Sequence, residues 1–226
     1  MNQPMEHITA SCVIAEGAIY RNGKLRFTAD SVTHPPASAA PGLATAAPAD
    51  FLPAVYRHFD WQYPKFYKMD PLSRLGWLTA ELLLAENWDP TAYRPEEIAI
   101  VLSNANSSLD TDYKYNDTIR DIPSPSVFVY TLPNIMIGEI SIRHGIKGES
   151  AFFLSPSFDP NLIAGYTNML LQQGIAGAAI VGWVDLLGDD YKAALFLIER
   201  TTGLDTPEFL PETMQTIFQN PSKPWM

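Results

Sequence analysis

The sequence predicts an α/β domain: a five-stranded mixed sheet, mostly parallel with its last strand antiparallel, carrying helices on its faces. Three observations lead there. Apolar runs of strand length alternate with longer segments of helical periodicity, the pattern of strand–helix–strand units. Helix-start and helix-stop residues bracket the helical segments. The last two apolar runs are joined through Gly188-Asp189-Asp190, too short for a parallel crossover, so the final strand must turn back.

Residues 7–15 form a β-branched run that reads as the first strand. Residues 18–28 carry Asn22-Gly23 between apolar pairs, a hairpin signal. Residues 34–53 are rich in proline and alanine and read as a long surface connection. Phe59, Trp61, Tyr63, Phe66 and Tyr67 make residues 59–68 a dense aromatic patch, which suits a core, an interface or a binding groove. Asp70-Pro71 is an N-cap followed by proline at the first helical position. Leu72, Leu75, Leu78, Leu82 and Leu83 continue at helical spacing, predicting a helix over 71–86.

Residues 98–102 read as a buried strand, and 104–121 as a polar loop. Its carboxylates Asp110, Asp112 and Asp117 lack the glycine and terminal glutamate of a calcium-binding loop. A helix over 134–144 closes at Gly145. A strand follows at 151–154, then a helix over 160–173 with Asp159 as its cap and Gly174 as its stop. Strands at 178–184 and 193–198 and a short helix at 211–218 complete the order. The expectation is one domain over 1–226, with an irregular tail from about residue 203.

A net charge of −10 without any Lys/Arg cluster argues against unaided nucleic-acid binding. The single cysteine, Cys12, excludes an internal disulfide and lies in an apolar run that suits a buried thiol. His7, His34, His58 and His144 show no metal-ligand spacing, and His144 precedes Gly145 where it can cap a helix end. No metal site and no cofactor are expected. With neither a signal-peptide pattern nor a membrane-spanning run, the expectation is a soluble, cytoplasmic protein with no membrane partner.

Several local stretches carry a resemblance. Met69-Asp70-Pro71 with its leucine helix, Pro95 to Leu102, and Leu132-Pro133-Asn134 through Gly145-Ile146-Lys147-Gly148 resemble, in this order, the N-terminal half of the β-ketoacyl synthases, a thiolase-type fold. Ala178-Ala179-Ile180-Val181-Gly182-Trp183 is similar to the family strand that ends in a glycine pair, with Trp183 in place of the second glycine. Ala193 to Glu199 resembles its closing strand. Counting from Gly148, the family's nucleophilic cysteine falls on Ser157.

The resemblance implies acyl-chain chemistry, with Ser157 at the nucleophile position and Phe152, Phe153, Ser155, Phe158 and Trp183 as candidates for an acyl pocket or an interface. A serine hydroxyl without an adjacent base is a poor nucleophile, and the histidines here do not match the family's catalytic ones. The leading expectation is therefore a non-catalytic partner, like the chain-length factors, that meets a full-length ketosynthase, an acyl carrier protein, or both. Thiolase-type proteins join their sheets across the active-site strand, which also allows a homodimer. Two alternatives stand beside it. One is an acyltransferase or hydrolase using Ser157, which requires a base within hydrogen-bond reach. The other is an acyl-chain binding module, which requires an apolar cavity near Ser157.

Overall fold

The structure, a computed structural model, describes residues 5–29, 46–86, 88–201 and 205–223. Its strands are β1 (Met5–Ala15), β2 (Ala18–Arg21), β3 (Lys24–Thr28), β4 (Ile98–Asn104), β5 (Ser150–Leu154), β6 (Ala178–Leu187) and β7 (Asp190–Thr201). They form one sheet in the order β3-β2-β1-β7-β6-β4-β5.

Two features differ from expectation. The sheet has seven strands among the described residues, because the predicted hairpin pairs onto β1 instead of standing apart. Four of its six pairings are antiparallel; only β4–β5 and β4–β6 are parallel. The last strand does run antiparallel, as the short turn at Gly188 requires. It inserts between β6 and β1 rather than lying at an edge, so it makes both of its neighbours antiparallel.

The hairpin turns follow from local chemistry. Asn22 and Gly23 have φ of 51° and 77°, the two positive values of a type I′ turn, and Glu16-Gly17 repeats the device between β1 and β2.

The helices are α1 (Pro48–His58), α2 (Pro71–Leu84), α3 (Leu109–Thr118), α4 (Pro125–Phe128), α5 (Ile135–His144), α6 (Pro160–Gln172) and α7 (Pro211–Gln219). Residues 34–45 of the expected connection lie outside the described residues, but its end is the start of α1. There Phe51, Leu52, Val55 and Tyr56 make a buried stripe at helical spacing. The loop expected over 104–121 contains α3, a mostly polar helix with Thr111 as its one buried side chain. Past residue 203, α7 buries Met214, and Glu208 forms a bridge with His7.

Strand alternation divides the core. Ile100, Leu102, Leu195 and Leu197 face α1, α2 and α5, while Ala99, Val101, Ala194 and Phe196 face α6 and α7. β4, covered on both faces, therefore reads as an unbroken apolar run.

Capping and polar contacts fix the helices. Asp70 accepts from the Ser73 N–H at 2.9 Å to cap α2, and from the Thr111 hydroxyl at 2.7 Å, which ties α3 to that cap. Arg21 of β2 seals the other end of α2. Its guanidinium donates to the carbonyls of Leu82, Leu83 and Glu86 and pairs with the Glu86 carboxylate.

Between α2 and α5 the buried Glu81 receives a two-pronged Arg143 (2.7 and 3.2 Å) and faces His144 Nε2 at 3.2 Å. His144 thus meets a carboxylate rather than free helix carbonyls. Burial pushes the Glu81 carboxyl up, but hydrogen bonds from His144 and Arg143, with their charges, outweigh it and hold it below the usual range. A carboxyl lowered on folding contributes stability above its unfolded pKa and loses it as pH falls through the folded value. Urea titrations should therefore find Glu81→Gln about 2 kcal/mol less stable than the parent at pH 7. The gap should close on acidification below the ordinary carboxylate range.

Candidate functional site

The C-terminal ends of the parallel strands β4, β5 and β6 converge on the turn that leaves β5, Ser155-Pro156-Ser157-Phe158. The Ser155 N–H donates to the Asn104 carbonyl at 2.9 Å, carrying the β4–β5 ladder one step further. Ser157 follows, exposed in the turn. Asp159 then caps α6 by accepting from the N–H groups of Asn161 and Leu162 at 3.0 and 3.1 Å. The helix end that would favour an anionic nucleophile is thus already engaged by a carboxylate. Among the described residues Ser157 has no side-chain hydrogen bond and no histidine or carboxylate paired with its hydroxyl. Among the described residues the arrangement offers no base of the kind serine chemistry needs.

The space behind the turn is filled. The ring of Phe158 lies 4.7 Å from Phe218 of α7 and 6.3 Å from both Phe196 and Trp183. Trp183 is 5% exposed, so its indole occupies interior volume where the family pattern has glycine. Phe152 and Phe153 point to opposite faces of β5. Phe152 leans on the α2 side of the core, and Phe153 meets Tyr166 of α6 edge-on at 5.3 Å. The structure therefore separates the sequence-derived candidates: Phe158 and Trp183 pack together inside, while Phe152 and Phe153 flank the sheet edge and Ser155 and Ser157 line the turn.

Two polar assemblies beside the turn escaped the sequence. Asp185, near the end of β6, accepts from the N–H groups of Ala105 and Asn106 and from the Asn106 side-chain amide at 2.8 Å. Asn104 closes the same loop on both backbone groups of Ser107, which sits at φ 51°. These carboxylate and amide groups are used to hold the backbone where β4 passes into α3. The only sequence signal was a lone aspartate inside an apolar strand.

The glycines of the Gly145-x-x-Gly148 turn have separate tasks. Gly145 takes the left-handed conformation that ends α5, at φ 69°. Gly148 passes so close to the start of β4 that a Cβ there would meet the Ile98 carbonyl oxygen at 2.4 Å. The turn therefore sets the height at which β5 joins the sheet.

Among the described residues β5 ends the sheet, and its outer side has no neighbouring strand. Glu149 and Ser155 bond to β4, so by alternation the backbone groups of Ser150, Phe152 and Leu154 face outward. The segment Ser-Ala-Phe-Phe-Leu carries no charge and no proline. The opposite edge, β3, carries Lys24 and Arg26, the residues that block sheet extension. Leu154 is 61% exposed and Ile142 of α5 is 66% exposed; Phe128, Val129 and Leu132, between α3 and α5, are exposed as well.

The aromatic patch lies on the other side of the sheet from Phe158. Tyr56, Trp61, Tyr63 and Tyr67 line a cleft of about 300 Å³, with Tyr56 belonging to the α1/α2 side of the core. Behind them Trp77 is fully buried, stacked on Tyr63 at 5.3 Å, and the Arg143 guanidinium lies over both rings. Tyr56 was missed as a cleft wall because α1 was hidden behind the proline-rich stretch.

No protein-family model and no curated protein matches the sequence. Solved structures do match in shape. The ishigamide ketosynthase/chain length factor superposes with a TM-score of 0.58 at 17% identity, over 90% of this chain and 64% of that one. The complex of the ketosynthase ApeO with its chain length factor ApeC, from Xenorhabdus doucetiae, matches with a TM-score of 0.57 at 14% identity, over 97% of this chain and 91% of that one. AntDE:AntF, a type II PKS acyl-carrier protein in complex with its ketosynthase bound to the hexaketide, gives 0.58 at 14%, over 88% and 63%. The chain thus spans just under two thirds of the first and third of these and nearly all of the second. At such identities the likeness is one of fold: the chain has an α/β fold like that of solved ketosynthase and chain length factor structures.

Proposed function

We propose that this chain is a non-catalytic, chain-length-factor-like partner that joins a full-length ketosynthase through the open edge of β5. The observation that carries the reading is the contrast between the two sheet edges. β3 is protected by charge, whereas β5 offers uncharged backbone between two half-buried phenylalanines. Apolar side chains of the α3–α5 region remain exposed, as a surface awaiting a partner does. Ser157 has no base among the described residues, which supports a chain that relies on its partner for acyl-transfer chemistry. The ketosynthase then supplies the nucleophile and its histidines and receives the acyl carrier protein. Nearly complete mutual coverage with a chain of the ApeO–ApeC complex adds that a domain of this length occurs in such assemblies.

The test is coexpression with a ketosynthase encoded beside it. A stable one-to-one complex is expected, and Leu154→Lys should weaken it by about 3 kcal/mol, roughly a hundredfold in Kd, because a charge would be buried without a partner. The thermal midpoint of the isolated Leu154→Lys chain should stay within about 2 °C of the parent, since Leu154 is exposed. A lone chain that stays monomeric beside every such ketosynthase, or a complex indifferent to Leu154→Lys, overturns the proposal. A homodimer sensitive to the same substitution would place a second copy on that edge instead.

A further inference from the structure

The cleft at Tyr56–Tyr67 takes no part in that pairing, and its chemistry points elsewhere. Its rings stand at angles to one another, with Tyr56 inclined 72° to Tyr67 and 52° to Trp61. Trp61 crosses Trp77 at 83°, and Tyr63 lies parallel to Trp77 at 5°. The walls therefore form ridges and troughs rather than one stacked pile. The Tyr63 N–H donates to the Tyr56 hydroxyl at 2.6 Å, which leaves the Tyr56 proton to be given away. The hydroxyls of Tyr63 and Tyr67 and the indole N–H of Trp61 have no hydrogen-bond partner among the described residues. Arg57, exposed at the rim, has no ion pair among them either. The cleft thus combines apolar faces with a surplus of donors.

That combination discriminates between ligand classes. An alkyl chain needs enclosure, and this cleft is open to water. A phosphate needs concentrated positive charge, and Arg57 is the one cation among the residues that line the cleft. Strand addition needs an unprotected sheet edge, and the edge strand that packs against α1, β3, carries Lys24 and Arg26. A polyproline II segment fits. Its prolyl rings pack against tilted aromatic faces, and its carbonyls, unpaired within that helix, accept from phenol, indole and guanidinium donors. Asp60 adds charge complementarity. One carboxylate oxygen accepts from the Gln62 amide at 3.1 Å, which leaves the other for a cation. We propose that the cleft binds a proline-rich segment of a partner protein, extended as polyproline II, with a basic residue beside the prolines.

Calorimetric titration of the full chain with capped decaproline, and with decaproline carrying arginine at either end, tests this. Saturable one-to-one binding is expected, at least threefold tighter for one of the arginine peptides. Tyr67→Ala, at a half-exposed ring, should lower affinity at least tenfold with an unchanged thermal midpoint. Asp60→Asn, which keeps a residue suited to φ 51°, should abolish the arginine preference and leave decaproline binding intact. No saturable heat with any of the three peptides, or equal binding by a folded Tyr67→Ala, overturns the proposal. So does tight binding of tetramethylammonium that decaproline fails to displace, since the cleft would then be a cation cage. Either failure leaves pairing through β5 untouched, because that reading is measured on Leu154→Lys.

Discussion

Gly182→Ala should yield no folded protein. Gly182 lies in β6 at φ 147°, a conformation closed to side-chain-bearing residues, and a Cβ built there would stand 2.0 Å from the carbonyl oxygen of Ala194. The clash is with backbone, and β6 is held between β4 and β7, so neither strand can yield without breaking a ladder. The cost exceeds about 4 kcal/mol, a large part of what a domain of this size has to spend. The expected outcome is insoluble expression, or a chain lacking a cooperative thermal transition. Gly165→Ala provides the contrast. Gly165 is exposed on α6 with nothing within 4 Å of an added methyl, and alanine there should stabilise by about 0.5–1 kcal/mol. Equal behaviour of the two variants would show that backbone crowding does not govern the first.

The second large effect belongs to Arg21. Its side chain is 4% exposed and serves the carbonyls of Leu82, Leu83 and Glu86 together with the Glu86 carboxylate. Arg26 pairs with the same carboxylate from the next strand. Burial draws the pKa of Arg21 down, and the charge is retained because a guanidinium starts so far above neutrality. Arg21→Met keeps volume but strands the carbonyls at the end of α2, so about 3–5 kcal/mol should be lost and the thermal midpoint should fall by roughly 10 °C. Arg26→Met, at a more exposed position, should cost under about 1 kcal/mol. The comparison separates capping of α2 from generic loss of charge. Cys12, whose thiol burial pushes up to about 12, should remain unreactive to alkylating reagents until the chain unfolds.

What the sequence disclosed, and what it concealed, follows physical lines. Helices with a side-chain cap and a dense leucine stripe were legible: Asp70-Pro71 before α2 and Asp159-Pro160 before α6 lie where local chemistry puts them. The antiparallel last strand was legible because Gly188-Asp189 permits nothing else. α3 was not, since a surface helix with one buried side chain has no apolar stripe to read. The two hairpin strands, β2 and β3, were legible as a hairpin but not as sheet members, because a turn signal does not say which strand the hairpin pairs with. In the site, residue identities were visible but their grouping was not. Phe158 and Trp183 are brought together by sheet register, and Phe152 and Phe153 are sent apart by alternation. The tasks of Asp185 and Glu81 depend on neighbours about 80 and 62 residues away in sequence, beyond any local pattern.

The central position of β7 has a consequence for how the chain is made. As synthesis proceeds, β1, β2 and β3 can form a meander, and later β4, β5 and β6 can assemble around their crossover helices. Neither group touches the other through the sheet until residues 190–201 emerge, when Met5 finds Thr201 and Leu187 finds Asp190. The β6–β7 hairpin closes locally, but the β1–β7 pairing joins residues far apart in sequence and closes slowly. Until then two half-sheets wait with bare inner edges, and the strand that fastens them is made after the other six described strands.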